Sequence, residues 1–267
     1  MGRIASLALA AAPLLLAAGT ARAGTLRDLC PDRPGLGTPP CTIDPGHIMI
    51  ELGLGDWTLT RQGGEREDDL ATGDLLVRYG LTSNLEMQVG WTAYTHIRTR
   101  SGNLVQRTGG AGDVTIALRR NLHNPDGTGF SLALMPYATL PTGRDGIGAG
   151  DWGAGLLVPM TWQLPHGVTL DLTSEADAAV DGDGHGRHLA YSEIFGVDLA
   201  VTSKIGATAE LEVAHDEDPA GHSSPLLAGF SADWTPNDNL QLDLGTNVGL
   251  NRASPDVEVY FGVARRF

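Results

Sequence analysis

Apolar and polar residues alternate along most of this chain with a period of two. In Leu85–Tyr94, one parity holds Leu85, Met87, Val89, Trp91 and Ala93; the other holds Glu86, Gln88, Gly90, Thr92 and Tyr94. Leu240–Leu250 sets Leu240, Leu242, Leu244, Val248 and Leu250 against Gln241, Asp243, Gly245, Asn247 and Gly249. Ile205–Ala214 repeats the scheme, and so does the end of the chain, where Val257, Val259, Phe261, Val263 and Phe267 share one parity. Successive side chains of a strand point to opposite faces, so each stretch is a strand with one apolar and one mixed face. The same criterion along the whole chain predicts about twelve strands, near 47–60, 68–81, 85–97, 112–123, 129–141, 151–164, 168–179, 190–202, 205–215, 225–235, 240–250 and 256–267.

The connections alternate in length. One set is short: Thr82–Asn84, Asn124–Thr128, Pro165–Gly167, Ser203–Lys204 and Pro236–Asn239. The other set is mostly longer and rich in Gly, charge and His, as in "TGRDGIGAG", "DGDGHGRH" and "HDEDPAGHSS". Short turns at one end and long loops at the other are expected of a bacterial outer-membrane barrel, with the turns in the periplasm. The aromatic residues Trp57, Trp91, Tyr94, Trp152, Trp162, Trp234, Phe261 and Phe267 fall near predicted strand ends, as in interfacial girdles. A soluble β-sandwich is the competing all-β architecture, and it predicts neither a systematic loop asymmetry nor aromatics confined to strand ends.

The N-terminus decides the compartment. Residues 1–23 carry Arg3, an apolar run from Ile4 to Ala18 and the small-x-small ending Ala21-Arg22-Ala23. This is the pattern of a secretory signal peptide cleaved after Ala23. No later run is long enough for a membrane-spanning helix. The chain has net charge -14, and loss of Arg3 and Arg22 makes the exported form more acidic still. Its one lysine is Lys204. Such a chain will not seek nucleic-acid phosphates. Cys30 and Cys41 bracket a Pro/Gly-rich loop and are expected to form a disulfide in an oxidising compartment. The expected organisation is therefore a signal peptide at 1–23, a periplasmic N-terminal segment with the disulfide at 24–46, and a transmembrane antiparallel up-and-down β-barrel of about twelve strands at 47–267.

Three stretches carry a family resemblance. "CPDRPGLGTPPCTIDPGHIMIELG" runs from Cys30 to Gly53, "GAGDVTIALRRNL" from Gly110 to Leu122, and "GFSLALMPYATLPTG" from Gly129 to Gly143. Together they resemble the outer-membrane transporter family named after the meta-pathway of phenol degradation. Members share a Cys-bracketed Arg-Pro-Gly segment, a Gly-x-Gly-Asp strand opening and a Pro-Thr-Gly at the end of the next strand. The resemblance implies a barrel concerned with small, aromatic compounds and carries over no catalytic residues. Separately, the terminal strand ending on Phe267 resembles the C-terminal signature of Gram-negative barrels, in which that strand is read by the barrel-assembly machinery.

Strand phase assigns the polar parity to the lumen. The candidates are Asp74, Arg78, Glu86 and Gln88, then Arg119, Asp171 and Glu175, then Glu210, Glu212, Asp243, Asn247 and Glu258. Acids outnumber arginines in this set, which suggests either a lumen that favours cations and neutral solutes or a network that closes the barrel. The segment Gly24–His47, stiffened by five prolines, is either a plug in the periplasmic mouth or a tether beside the barrel, and the tether is the plainer reading. Asp181, Asp183, His185 and His188 sit in one outer loop with donors suited to a divalent ion, although a flexible, solvated loop is the favoured reading. His215, Asp216, His222 and Ser223 suggest a hydrolase, but neighbours in one loop do not make a dyad.

The expectation is thus a passive channel for small, hydrophobic or aromatic solutes in the cell outer membrane. It is not an enzyme and needs no cofactor. Its partners are outer-membrane lipids and lipopolysaccharide, the barrel-assembly machinery and a small solute. The alternatives are a closed structural or surface-binding barrel and, less favoured, a lipid-modifying barrel enzyme.

Overall fold

The computed structural model describes residues 26–267. The export signal expected over 1–23 lies outside the described residues. Thirteen strands follow in chain order: β1 (Ile48–Gln62), β2 (Glu65–Thr82), β3 (Leu85–Ser101), β4 (Leu104–Gly110), β5 (Val114–His123), β6 (Phe130–Leu140), β7 (Gly153–Leu164), β8 (Val168–Val180), β9 (Arg187–Ala200), β10 (Ile205–Asp216), β11 (Leu226–Asn237), β12 (Leu240–Gly249) and β13 (Val257–Arg266). Every pairing is antiparallel, and β1 pairs with β13 from Met49↔Arg266 to Leu59↔Val257, so the sheet closes on itself. Closure removes both edges, the condition a sheet must meet in hydrocarbon.

The barrel has twelve positions for these thirteen strands, because β4 and β5 share one. β4 pairs with the outer end of β3 (Thr95↔Gly110 to Ser101↔Leu104), and β5 with its inner end (Leu85↔Arg120 to Trp91↔Val114). The alternation predicts only a connection between the strands near 85–97 and 112–123. It missed β4 and the outer ends of β2 and β3 because both faces there meet water, so no alternation marks them. Their pairing is polar instead: Arg66 sits opposite Arg100, and the Thr99 hydroxyl donates to Glu67 at 3.1 Å. At about 3.3 Å per residue, the 18-residue β2 extends well past the hydrocarbon core. Gly63 and Gly64 make the tight β1–β2 turn with φ of 60° and 84°, a conformation that favours glycine.

Burial is inverted relative to a water-soluble fold. Arg78, Arg119 and Glu86 are fully buried, while Leu244, Phe230, Phe261, Phe195 and Phe267 are each more than half exposed. The alternating apolar set forms the outer face, and it continues around the barrel through Met87, Val89, Ile116, Leu118, Leu156, Leu170, Val197, Leu211 and Leu242. Exposed apolar surface on this scale marks an apolar contact medium, here the bilayer. Trp91, Trp152, Trp162 and Trp234 are exposed on the same outside, whereas Tyr94 has the inner parity of Glu86 and Gln88; the Phe130 and Trp162 rings lie 5.2 Å apart near the short-turn end. No helix among the described residues is long and apolar enough to cross a membrane.

Candidate functional site

The N-terminal segment runs inside the short-turn end of the barrel, not beside it. Inner-face side chains grip its backbone, donor to acceptor in both directions. The backbone N–H groups of Asp32 and Arg33 donate to the Glu51 carboxylate at 2.9–3.0 Å. Those of Leu36 and Gly37 donate to Glu210, each at 2.8 Å, and that of Ile43 to Glu86 at 2.8 Å. In return Arg78 donates to the Cys30 carbonyl (2.8 Å), Asn121 to Pro40 (2.9 Å) and Gln241 to Arg33 (2.7 Å). Five prolines keep the segment from pairing as a strand, so its orphaned backbone groups are met by charged side chains. Close approach is needed as well: a Cβ at Gly80 would collide with the Asp44 and Ile43 carbonyls. Cys30 and Cys41 stand in disulfide position, Cα atoms 6.5 Å apart.

Five charges knit the segment to β1, β2, β3 and β5. Arg78 meets Asp32 at 2.8 Å, Glu51 at 3.0 Å and Glu86 at 3.0 Å. Arg119 meets Asp32 at 2.7 Å and Glu86 at 3.3 Å. Gln88 donates to Glu86 at 2.7 Å. Burial pushes the Asp32 carboxyl up, but the Arg119 and Arg78 guanidinia outweigh it and hold the group below its ordinary range. A second anchor is Arg33, which pairs with Asp243 at 3.0 Å and lies over the Tyr260 ring.

The segment covers one wall and leaves the other open. Between residues 29–39 and strands β7 to β12 lies a cavity of about 590 Å³, lined by Asp171, Asp198, Glu210 and Asp233 with Thr169, Thr208 and Gln241. No arginine from the barrel wall lines it, so its charge is negative. Beside the charged cluster is a second pocket of about 240 Å³, lined by Leu76, Ala117, Met135, Tyr137 and Leu157 with Gln88, Glu175 and Asp32. The Tyr137 hydroxyl donates to Glu175 at 2.8 Å. The interior thus offers an acidic vestibule and an apolar, one-sidedly polar pocket.

The remaining sequence candidates fall as follows. Asp74 accepts from the Thr92 hydroxyl at 2.9 Å, and Asn247 donates to Glu258 at 2.7 Å. Glu212 lies two residues along β10 from Glu210, on the same face by strand alternation. Sequence reasoning missed Asp198 and Asp233, which the same parity argument could have found. It also missed Glu51 and Asp56. β1 changes register against β13 between Gly53 and Gly55, and a shift of one residue moves side chains to the opposite face. No single parity therefore picks both acids. Asp32 and Arg33 carried no periodic signal at all.

At the outer end, Asp181 and His188 come together at 2.9 Å. Asp183 accepts from the His185 backbone N–H at 2.8 Å, a local turn. Ser223 and His222 do not pair: His222 meets Glu217 at 2.7 Å, while His215 contacts Ser224 at 2.6 Å and Glu217 at 2.9 Å. A nucleophilic triad holds its base with a buried carboxylate, whereas the Glu217 side chain is 44% exposed. The two short sequence motifs meet in space. The Asp113 carboxylate accepts from the N–H groups of Gly143 (2.7 Å) and Ala149 (2.8 Å), and the Thr142 hydroxyl accepts from the Val114 N–H at 2.9 Å. Asp113 crowds the positions of Gly143 and Gly148 so closely that a Cβ would not fit at either.

A closed antiparallel barrel with a polar interior and an apolar exterior defines the class: an outer-membrane β-barrel. The family described as "Putative MetA-pathway of phenol degradation" matches residues 31–267, and the chain belongs to that family. The fold is similar to the crystal structure of the COG4313 outer membrane channel from Pseudomonas putida F1, with TM-score 0.69 and 16% identity over 88% of this chain and 99% of that one. It is also similar to the translocator domain of the autotransporter NalP from Neisseria meningitidis (TM-score 0.52, 14% identity, 83% of this chain and 88% of that one). A third is the KdgM porin in complex with disordered oligogalacturonate (TM-score 0.51, 8% identity, 83% and 99%). At such identities the likeness is one of fold. No curated protein sequence matches the chain.

Proposed function

We propose that this protein is a passive outer-membrane channel for small solutes with an apolar or aromatic body, neutral or cationic. The observation that carries the reading is the division of the lumen. The inserted segment occupies the Arg78 wall, and the acidic cavity and the apolar pocket remain on the other. A low-dielectric wall lined by carboxylates concentrates cations and repels anions. A pocket of mostly apolar lining with a few polar groups suits a small ring compound. The periplasmic end carries the inserted segment, export uses residues 1–23, and the strand ending at Phe267 serves the assembly machinery. No chemistry is assigned to the protein.

Proteoliposome uptake tests this reading. Labelled phenol-sized cations and neutral aromatics should enter faster than aromatic carboxylates of equal size. Equal rates for anions and cations would remove it. A closed barrel is the second reading, favoured by the buried charge network around Arg78; it predicts no uptake of any solute.

A further inference from the structure

A second cluster lies at the outer rim, apart from the lumen groups. Loop 181–186 follows β8 and loop 217–225 follows β10, and the pairing of β9 with β10 brings them together. Gly182 N–H donates to Asp218 at 2.7 Å, and Glu217 N–H to the Leu189 carbonyl at 3.1 Å. His188 stands between the loops. Its Nδ1 is 2.9 Å from Asp181, and its Nε2 is 3.1 Å from an Asp216 carboxylate oxygen. The His188 side chain is only 5% exposed, yet its buried Nε2 has no well-directed hydrogen-bond partner. Ligand atoms of His188, Asp216 and Asp218 all lie within 4.8 Å of one another.

A neutral imidazole has one N–H. Given to Asp181, it leaves the Nε2 lone pair facing a carboxylate oxygen, and two acceptors at 3.1 Å repel. A second proton would relieve that contact but leave three carboxylates around one positive charge. A divalent ion relieves it and draws in Asp218 too. With metal–ligand bonds of about 2.0–2.2 Å, neighbouring ligand atoms stand roughly 3.0–3.5 Å apart; the 3.1 Å between His188 Nε2 and Asp216 falls in that range, and an Asp218 oxygen lies within 4.8 Å of both. Asp218 accepts from Gly182 and Ala220 N–H groups, each at 2.7 Å, and each carboxylate oxygen keeps a second lone pair. Asp181 on Nδ1 supplies the carboxylate–histidine–metal arrangement that fixes tautomer and ring orientation.

We infer that His188, Asp216 and Asp218 form a divalent-metal site that clasps the two outer loops, with Asp181 orienting the histidine. The mixed nitrogen and oxygen donors suit Zn²⁺ or a similar first-row ion better than Ca²⁺ or Mg²⁺.

The test is calorimetric titration of Zn²⁺ into the refolded, tag-free mature protein in detergent, with folding checked by heat-modifiable gel migration. Wild type should take up a single equivalent. His188→Gln and Asp218→Asn should each weaken binding about tenfold or more, and should abolish the visible Co²⁺ spectrum of the substituted site. His222→Gln and His185→Gln, in the same two loops, should leave both unchanged. Absence of Zn²⁺ binding by folded wild type, or undiminished binding in both folded ligand variants, would overturn the inference.

Discussion

Arg78 Nη1 donates to the carbonyl oxygen of Cys30 at 2.8 Å, across 48 residues of sequence. That contact joins the barrel wall to a segment lacking regular secondary structure. It explains why a fully buried arginine is tolerated: Asp32, Glu51 and Glu86 surround the same guanidinium. A buried charge is costly unless paired and hydrogen-bonded, and here every edge of the guanidinium is occupied.

Replacing Arg78 by Met should therefore destabilise the protein strongly. It leaves three carboxylates gathered without their main partner, a loss of about 3–5 kcal/mol for breaking a buried pair. The urea midpoint of the folded, heat-modifiable form should fall accordingly. Arg66→Ala, which removes an exposed contact to Asp68 on the outer hairpin, should change it little.

The disulfide should hold the segment in place. A cross-link spanning 11 residues restricts the undocked segment, a contribution of roughly 2–3 kcal/mol in the chain-entropy account. The double variant Cys30→Ser, Cys41→Ser should exchange the Leu36 and Gly37 amide hydrogens at least tenfold faster than wild type, because those N–H groups are protected only while docked on Glu210. Unchanged exchange would mean that the ionic contacts suffice.

Asp171→Asn and Asp198→Asn should each lower cation preference, read as a smaller reversal potential in a salt gradient. The effect should shrink in high salt, since the screening length falls from about 10 Å at 0.1 M to about 3 Å at 1 M. Asp145→Asn, in the outer loop 141–152, should leave the reversal potential near that of wild type.

Asp113→Ala should loosen outer loop 141–152. It removes two carboxylate-accepted hydrogen bonds, each worth about 1.5–3 kcal/mol. Faster hydrogen exchange at Gly143 and Ala149, with barrel stability preserved, is the expected result.

Much of the barrel was legible in the sequence, because hydrocarbon outside and polar side chains inside impose a strict period of two. Leu85 to Trp91 shows it: Met87, Val89 and Trp91 face out, while Glu86 and Gln88 are buried within. The pattern failed where its cause was missing. β4 and the outer ends of β2 and β3 contact water on both faces, so Arg66, Asp68 and Arg100 gave no alternation. The register shift at Gly53 and Gly55 brings Glu51 and Asp56, which have opposite parity, to one face, so no single alternation picks out both. The place of Asp32 and Arg33 was illegible for another reason: their partners, Arg119 and Asp243, lie 87 and 210 residues away. The family motifs were visible as words, but only the fold shows Asp113 of one holding Gly143 of the other.

The central claim is an open path past the inserted segment. Single-channel current through the refolded mature protein in a planar bilayer, under a salt gradient, tests it most directly. The account predicts a small, steady, cation-selective conductance that rises several-fold when residues 26–44 are deleted. A folded, inserted protein that carries no current, with or without that segment, would contradict it and leave a closed barrel.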